Sequence, residues 1–124
     1  MFRRTRRRTI LLGLGLLLLI GASIAAGLLW SPKARMARHL ERGDRYFSGQ
    51  QYREAILEYR NVLQIEGTNT HAFRRLGLAH YQLGELGHAF RYLPKLAQLD
   101  PDDLDIRLKL GSIYLMGRRP EEAR

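Results

Sequence analysis

Two hydrophobic patterns divide the chain. From Ile10 to Trp30 the stretch ILLGLGLLLLIGASIAAGLLW runs for 21 residues without a charge and is apolar on every side of a helix. At about 1.5 Å rise per residue, such a helix spans roughly 31 Å, close to the hydrocarbon thickness of a bilayer. Ser23 is its only hydroxyl side chain, Trp30 stands where an interfacial aromatic is expected, and Pro32 follows as a stop. The pattern predicts a membrane-spanning helix over 10–30. Small residues around Ser23 and Ala25 also suit a signal-peptide cut. The apolar run is too long for that and continues past it through Leu28-Leu29-Trp30, so an uncleaved anchor is expected. Gly21/Ala25 and Ser23/Gly27 form small-residue pairs that could pack two such helices, a possible route to self-association.

After a linker at 31–35 the pattern turns to apolar stripes at helical spacing. Phe73, Leu76, Gly77, His80, Tyr81 and Leu83 form one stripe, closed by Gly84. Leu86, Ala89, Phe90, Leu93, Leu96, Ala97 and Leu99 form the next, closed by Asp100-Pro101. Pro94 inside it predicts a kink or a shortened helix. The stripes repeat. Gly43, Gly77 and Gly111 stand 34 apart, as do Ala55, Ala89 and Ala123, and Tyr46, His80 and Tyr114 keep the same interval. That period marks helix–turn–helix repeats, in which the small residues let paired helices approach closely. The fold class is therefore all-α, with units at 36–69, 70–103 and an incomplete 104–124. The last unit stops at Pro120-Glu121-Glu122-Ala123-Arg124, which reads as the opening turn of a second helix. On this reading the chain is a piece of a longer repeat protein.

The set of residues resembles the tetratricopeptide repeat family. The second unit carries Phe73, Leu76-Gly77, Gly84, Ala89 and Pro101 at the family's places, with His80 for the usual tyrosine and Leu93 for the aromatic. The first has Gly43, Tyr46, Ala55 and Tyr59, and the third has Leu110-Gly111, Tyr114 and Ala123. The resemblance implies antiparallel hairpins stacked as a short right-handed solenoid, whose first helices line a concave peptide groove. Carried over residue by residue, that groove would hold Leu40, Asp44, Phe47 and Ser48 from the first unit. His71, Arg74, Leu78, Tyr81 and Gln82 would follow from the second, and Asp105, Leu108, Ser112, Leu115 and Met116 from the third. Only Arg74 resembles the carboxylate clamp of chaperone-tail binders, so an extended apolar or amphipathic segment is the expected ligand.

Charge alters the picture at one end only. The chain of 124 residues has a net charge of +9, yet five arginines lie within the first nine residues, and from Ser31 onward 16 basic residues face 12 acidic ones. Positive residues resist translocation, so Met1–Thr9 is expected on the cytoplasmic side and the repeats beyond it, with an inner-membrane, single-pass location. Interleaved acids in the repeats argue against nucleic acid as a partner. Cysteine is absent, which removes disulfides, thiolate metal sites and a cysteine nucleophile. Asp100, Asp102, Asp103 and Asp105 resemble the start of a calcium loop but lack its glycine and closing acid, and read instead as a helix-capping turn. His39, His71, His80 and His88 show neither ligand spacing nor an acidic partner pattern, so no metal is expected. Arg74-Arg75 and Arg118-Arg119 read as solvated positions. No catalytic set or cofactor motif stands out.

Together these features predict a membrane-anchored interaction scaffold that recruits a protein or peptide to an envelope assembly. The layout is similar to that of bacterial envelope repeat proteins, and Tyr52–Gln64 looks most like the exosortase-associated group. A regulatory repeat segment of a longer enzyme is the competing expectation.

Overall fold

The structure, a computed structural model, describes residues 2–118. Its elements are the helices α1 (Phe2–Leu29), α2 (Pro32–Ser48), α3 (Tyr52–Ile65), α4 (Thr70–Gln82), α5 (Leu86–Leu99) and α6 (Leu104–Arg118). No strand occurs among the described residues. The residues expected to open a further helix, Pro120–Ala123, lie outside the described range, as does Arg119.

The chain forms two compact units, Met1–Arg35 and Met36–Arg124. The first is dominated by α1, whose segment Thr5–Leu29 is long and apolar enough to cross a membrane. Its leucines and isoleucines are exposed on all sides. The Ser23 hydroxyl donates to the Leu19 carbonyl at 2.9 Å, so the one hydroxyl in the apolar run is satisfied within the helix. The stretch 31–35 is not an extended linker: α2 starts at Pro32. Ser31 donates to the Leu28 carbonyl at 3.0 Å and accepts the Ala34 N–H at 3.2 Å, so one side chain closes α1 and caps α2. Pro32 then occupies the first helical position, where its missing N–H costs nothing.

In the second unit the helices pair as hairpins. Contacts of Phe47 with Tyr52, Gly43 with Tyr59 and His39 with Glu58 run α2 and α3 antiparallel. Phe73 with Tyr92, Gly77 with Leu93 and His80 with His88 do the same for α4 and α5. The two hairpin turns are built alike. Gly84 has φ +72° and Gln50, 34 residues earlier, has φ 60°, so a left-handed residue reverses the chain at each. Glycine takes that conformation freely, whereas Gln50 holds it against its own Cβ. Between hairpins, Asn69 accepts the Ala72 N–H at 2.9 Å to cap α4. Asp103 accepts the Ile106 N–H at 3.1 Å at the start of α6.

The small residues act where the helices are closest. A Cβ at Gly43 would lie 2.8 Å from Tyr59 Cε1, and one at Gly77 would lie 2.9 Å from Tyr92 Cβ. Gly111, the third of the series, meets nothing within 4 Å. Ala55 and Ala89 are fully buried. Two cores result. Ala55, Ile56, Tyr59 and Val62 of α3 pack on Ala72, Leu76 and Ala79 of α4. Leu78 of α4, with Ala89, Leu93 and Leu96 of α5, packs on Ile106 of α6. Helix α4 thus serves both cores, its alanines turned back and Leu78 turned forward. Pro94 neither shortens α5 nor ends it: the helix runs through to Leu99. Proline there leaves only the Phe90 carbonyl without its donor four residues on, and the packed faces of Leu93 and Leu96 hold the helix together.

Candidate interaction face

The first helices of successive hairpins, α2, α4 and α6, meet side by side. Asp44 faces His71 and, three residues on, Phe47 faces Arg75, so α2 and α4 run parallel. Arg74 reaches Asp103 at the head of α6 and, seven residues on, Tyr81 reaches Lys109 and Ser112, which sets α6 beside α4 in the same sense.

Asp44 is the hub of the first junction. Its carboxylate accepts the Tyr59 hydroxyl at 2.6 Å and His71 Nε2 at 2.8 Å, with Arg75 Nε at 3.8 Å. Burial raises the Asp44 pKa, but the hydrogen bonds from Tyr59 and His71 and the charges of His71 and Arg75 outweigh it and hold the carboxyl below its ordinary value. The same geometry raises Tyr59: its ring is buried, and its proton is held by a carboxylate. Arg75 then lies over the Phe47 ring at 4.5 Å, a cation–π contact across the two helices.

One repeat later the aromatic–cation contact recurs. Lys109 Nζ lies 5.6 Å from the Tyr81 ring centroid, and both residues are 34 positions beyond Phe47 and Arg75. The Tyr81 hydroxyl also meets Ser112 Oγ at 2.8 Å. Arg74 forms a salt bridge with Asp103 at the start of α6. Hydrogen bonds from Arg74 and the Ile106 N–H hold the Asp103 carboxyl below its ordinary value. Arg74 and Arg75 are therefore junction residues rather than solvated positions. Sequence alone hid this because each partner lies about one repeat away.

The histidines call for the same correction. His39 meets Glu58 at 2.6 Å, His71 meets Asp44, and His80 meets Glu85 at 2.7 Å. Each of these three has a carboxylate partner, contrary to the sequence reading. The hydrogen bond from His80 holds Glu85 below its ordinary value. None of these pairs grows into a cluster: among the described residues no group of three or more His, Cys, Asp or Glu is placed to hold a metal ion.

The remaining predicted groove residues fall into two groups. Leu40 is half-buried against the first core, and Leu78 is buried in the second. Ser48, Gln82 and Asp105 are exposed, and so are Leu108 and Leu115, at 73 % and 67 % of their surface, with Met116 beside them. The structure thus draws Asp44, Phe47 and His71 together at one junction and Arg74, Tyr81 and Ser112 at the next. Leu108 and Leu115 remain an open apolar row on α6. Two recesses flank that helix, one of about 450 Å³ between Ala97, Leu110 and Tyr114, the other of about 340 Å³ between Phe90, Ile113 and Met116. Arg75 and Lys109 were missed as contact residues, although the 34-residue arithmetic that found the glycines also pairs them.

Parallel first helices with a recurring junction define a helical-repeat architecture. The family model for the TPR repeat matches residues 43–84, from the glycine packed against Tyr59 to the left-handed glycine of the second turn. That match supports the tetratricopeptide reading, and repeats of this kind commonly mediate protein–protein interaction.

Proposed function

We propose that this protein is a membrane-anchored scaffold whose repeats hold an extended apolar or amphipathic segment of a partner along the first-helix face. The observation that carries the reading is the pair of exposed leucines on α6, Leu108 and Leu115, of which Leu115 keeps the 34-residue register of the half-buried rings Tyr81 and Phe47. Apolar anchors spaced along parallel helices suit a segment that presents side chains at regular intervals. The exposed apolar helix α1 supports the anchor, and the arginines before it favour a cytoplasmic N-terminus with the repeats on the far side. In this proposal the repeats stack as a right-handed solenoid, and the partner belongs to an envelope assembly or export system, to which the Tyr52–Gln64 resemblance points.

A photo-crosslinking residue at Leu108 or Leu115 in the full chain, expressed in cells, tests the face. We expect discrete adducts from both positions and none from Arg60, which is exposed on α3. Equal yields at all three positions would remove the groove from consideration. Sidedness is read separately with Gln98→Cys in this cysteine-free chain, using a membrane-impermeant maleimide on intact cells. Labelling at full-length mass is expected, and labelling only after lysis would place the repeats in the cytoplasm.

A further inference from the structure

The basic residues that follow the apolar helix fit poorly with an orientation set by charge alone, and their placement on α2 gives them another role. At about 100° per residue, Arg35, Arg38, Arg42 and Arg45 fall within an arc of roughly 80° on one side of the helix. The opposite side carries Leu40, Gly43 and Phe47, which face the hairpin core. The stripe therefore looks outward from the repeats. Helix α2 holds five lysines and arginines against two acids, Glu41 and Asp44, and Asp44 is turned into the junction with His71. Neighbouring groups temper the stripe, among them Glu41 on its flank and Glu58 of α3, whose carboxylate lies 3.3 Å from Arg42 Nε, while Arg42 Nη2 meets His39 Nδ1 at 3.0 Å. At its distal end Arg42 and Arg45 line a recess of about 250 Å³ together with Tyr46 and Gln51. Two guanidinium groups, a phenol and an amide around one small recess suit a phosphate oxygen donor set, since arginine pairs with phosphate through parallel N–H bonds.

We propose that this α2 stripe is a docking surface for anionic phospholipid headgroups, with the Arg42–Arg45–Tyr46–Gln51 recess taking a headgroup phosphate. The inference deepens the membrane-anchored reading and rests on it, because a stripe beginning five residues after Trp30 stays at high effective concentration near the bilayer. Basic residues near an anionic surface each add to the attraction, and salt screens it. The partner is thus a lipid surface rather than a protein, and the stripe leaves the first-helix face free for its own ligand.

The test uses the full chain with single reporters in its cysteine-free background, mixed with vesicles whose lipid headgroups carry a nitroxide quencher. Ser48→Cys, exposed at the end of α2, carries one fluorophore, and Gly21→Cys, at the middle of α1, carries the other in a separate preparation read with nitroxides placed deep in the acyl chains. We expect the α2 reporter to be quenched in vesicles of mixed phosphatidylcholine and phosphatidylglycerol. Quenching should fall strongly in pure phosphatidylcholine and at high salt. The double variant R38Q/R45Q should lower the ratio of surface-held to free reporter by roughly thirtyfold, while R38K/R45K keeps it, with helicity checked in both. Equal quenching with and without anionic lipid overturns the proposal, as does loss with the lysine variant. Inorganic phosphate at constant ionic strength should compete only at the recess and leave quenching above its level in pure phosphatidylcholine; a fall to that level overturns the proposal in favour of a soluble anion. The α1 reporter judges the anchor independently: an inserted α1 with an unresponsive α2 defeats the stripe alone, and a responsive α2 with α1 outside the bilayer defeats the anchor alone.

Discussion

Alanine in place of glycine at two equivalent repeat positions should change stability in opposite directions. At Gly77 the added methyl would sit 2.9 Å from Tyr92 Cβ and 3.3 Å from Leu93 Cδ2. Tyr92 Cβ is bonded directly to the α5 backbone, so it cannot swing aside, and α4 and α5 must separate by several tenths of an ångström. Overpacking of this kind costs about 1–3 kcal/mol, against about 1 kcal/mol returned by alanine's better helix propensity. The net expectation for Gly77→Ala is a loss centred on about 1 kcal/mol and reaching about 2 kcal/mol. At Gly111 the same methyl meets nothing within 4 Å. There the propensity gain stands alone, and Gly111→Ala should stabilise by up to about 1 kcal/mol. For a unit of this size, 1 kcal/mol moves Tm by roughly 4–8 °C. Thermal unfolding of the full chain in detergent, followed by far-UV circular dichroism, should therefore place the two variants on opposite sides of the parent. A Gly77→Ala protein that melts at or above the parent would refute the claim that this glycine exists for close approach. A destabilised Gly111→Ala protein would show that α6 has a close neighbour at that face.

Three further outcomes follow from the same geometry. Gln50→Gly should raise stability by about 1 kcal/mol, because the left-handed φ of 60° costs a residue with a Cβ and costs glycine little; urea denaturation with an unchanged slope would check it, and no gain would mean that Gln50 makes contacts that offset its strain. Asp44, Glu85 and Asp103 all have lowered pKa values in the folded chain, so their contribution is fully present above the ordinary carboxylate pKa and is lost as pH falls through the folded values; acid titration should show stability dropping below about pH 4, less steeply in Asp44→Asn, and an identical slope in that variant would remove Asp44 from the account. A double-mutant cycle between Phe47→Leu and Arg75→Gln should give a coupling of about 0.5–1 kcal/mol, and a coupling near zero would reduce the 4.5 Å contact to simple proximity.

The repeat and its helices were legible because they rest on local rules. Apolar spacing, a turn glycine and a period of 34 each leave a mark within a few residues or at a fixed interval. What the sequence concealed were pairings between residues with no shared interval. Asp44 and His71 are 27 apart and His39 and Glu58 are 19 apart, separations that mean nothing until the hairpins are stacked. Arg74 looked solvated for the same reason, since its partner Asp103 read only as a turn residue. Gln50 is a different case. Its repeat-mate Gly84 announces the left-handed turn, but the substitution at 50 removes the signal while the backbone keeps the conformation. Pro94 left two outcomes open, a kink or a shortened helix, and the shortened helix falls because the packing of Leu93 and Leu96 on either side carries α5 through to Leu99.

The ring-and-cation contact that recurs at the interval of the glycines bears on how such a chain can lengthen. Phe47 under Arg75 and Tyr81 under Lys109 are the same joint made twice with different side chains. A duplicated copy of 70–103 inserted after itself would carry an aromatic for the cation that follows and a cation for the aromatic that precedes. Both new seams would find a partner at once. Growth by whole units then needs no new ring-and-cation joint to arise, and drift at that joint is tolerated as long as a ring and a positive charge survive at those two places.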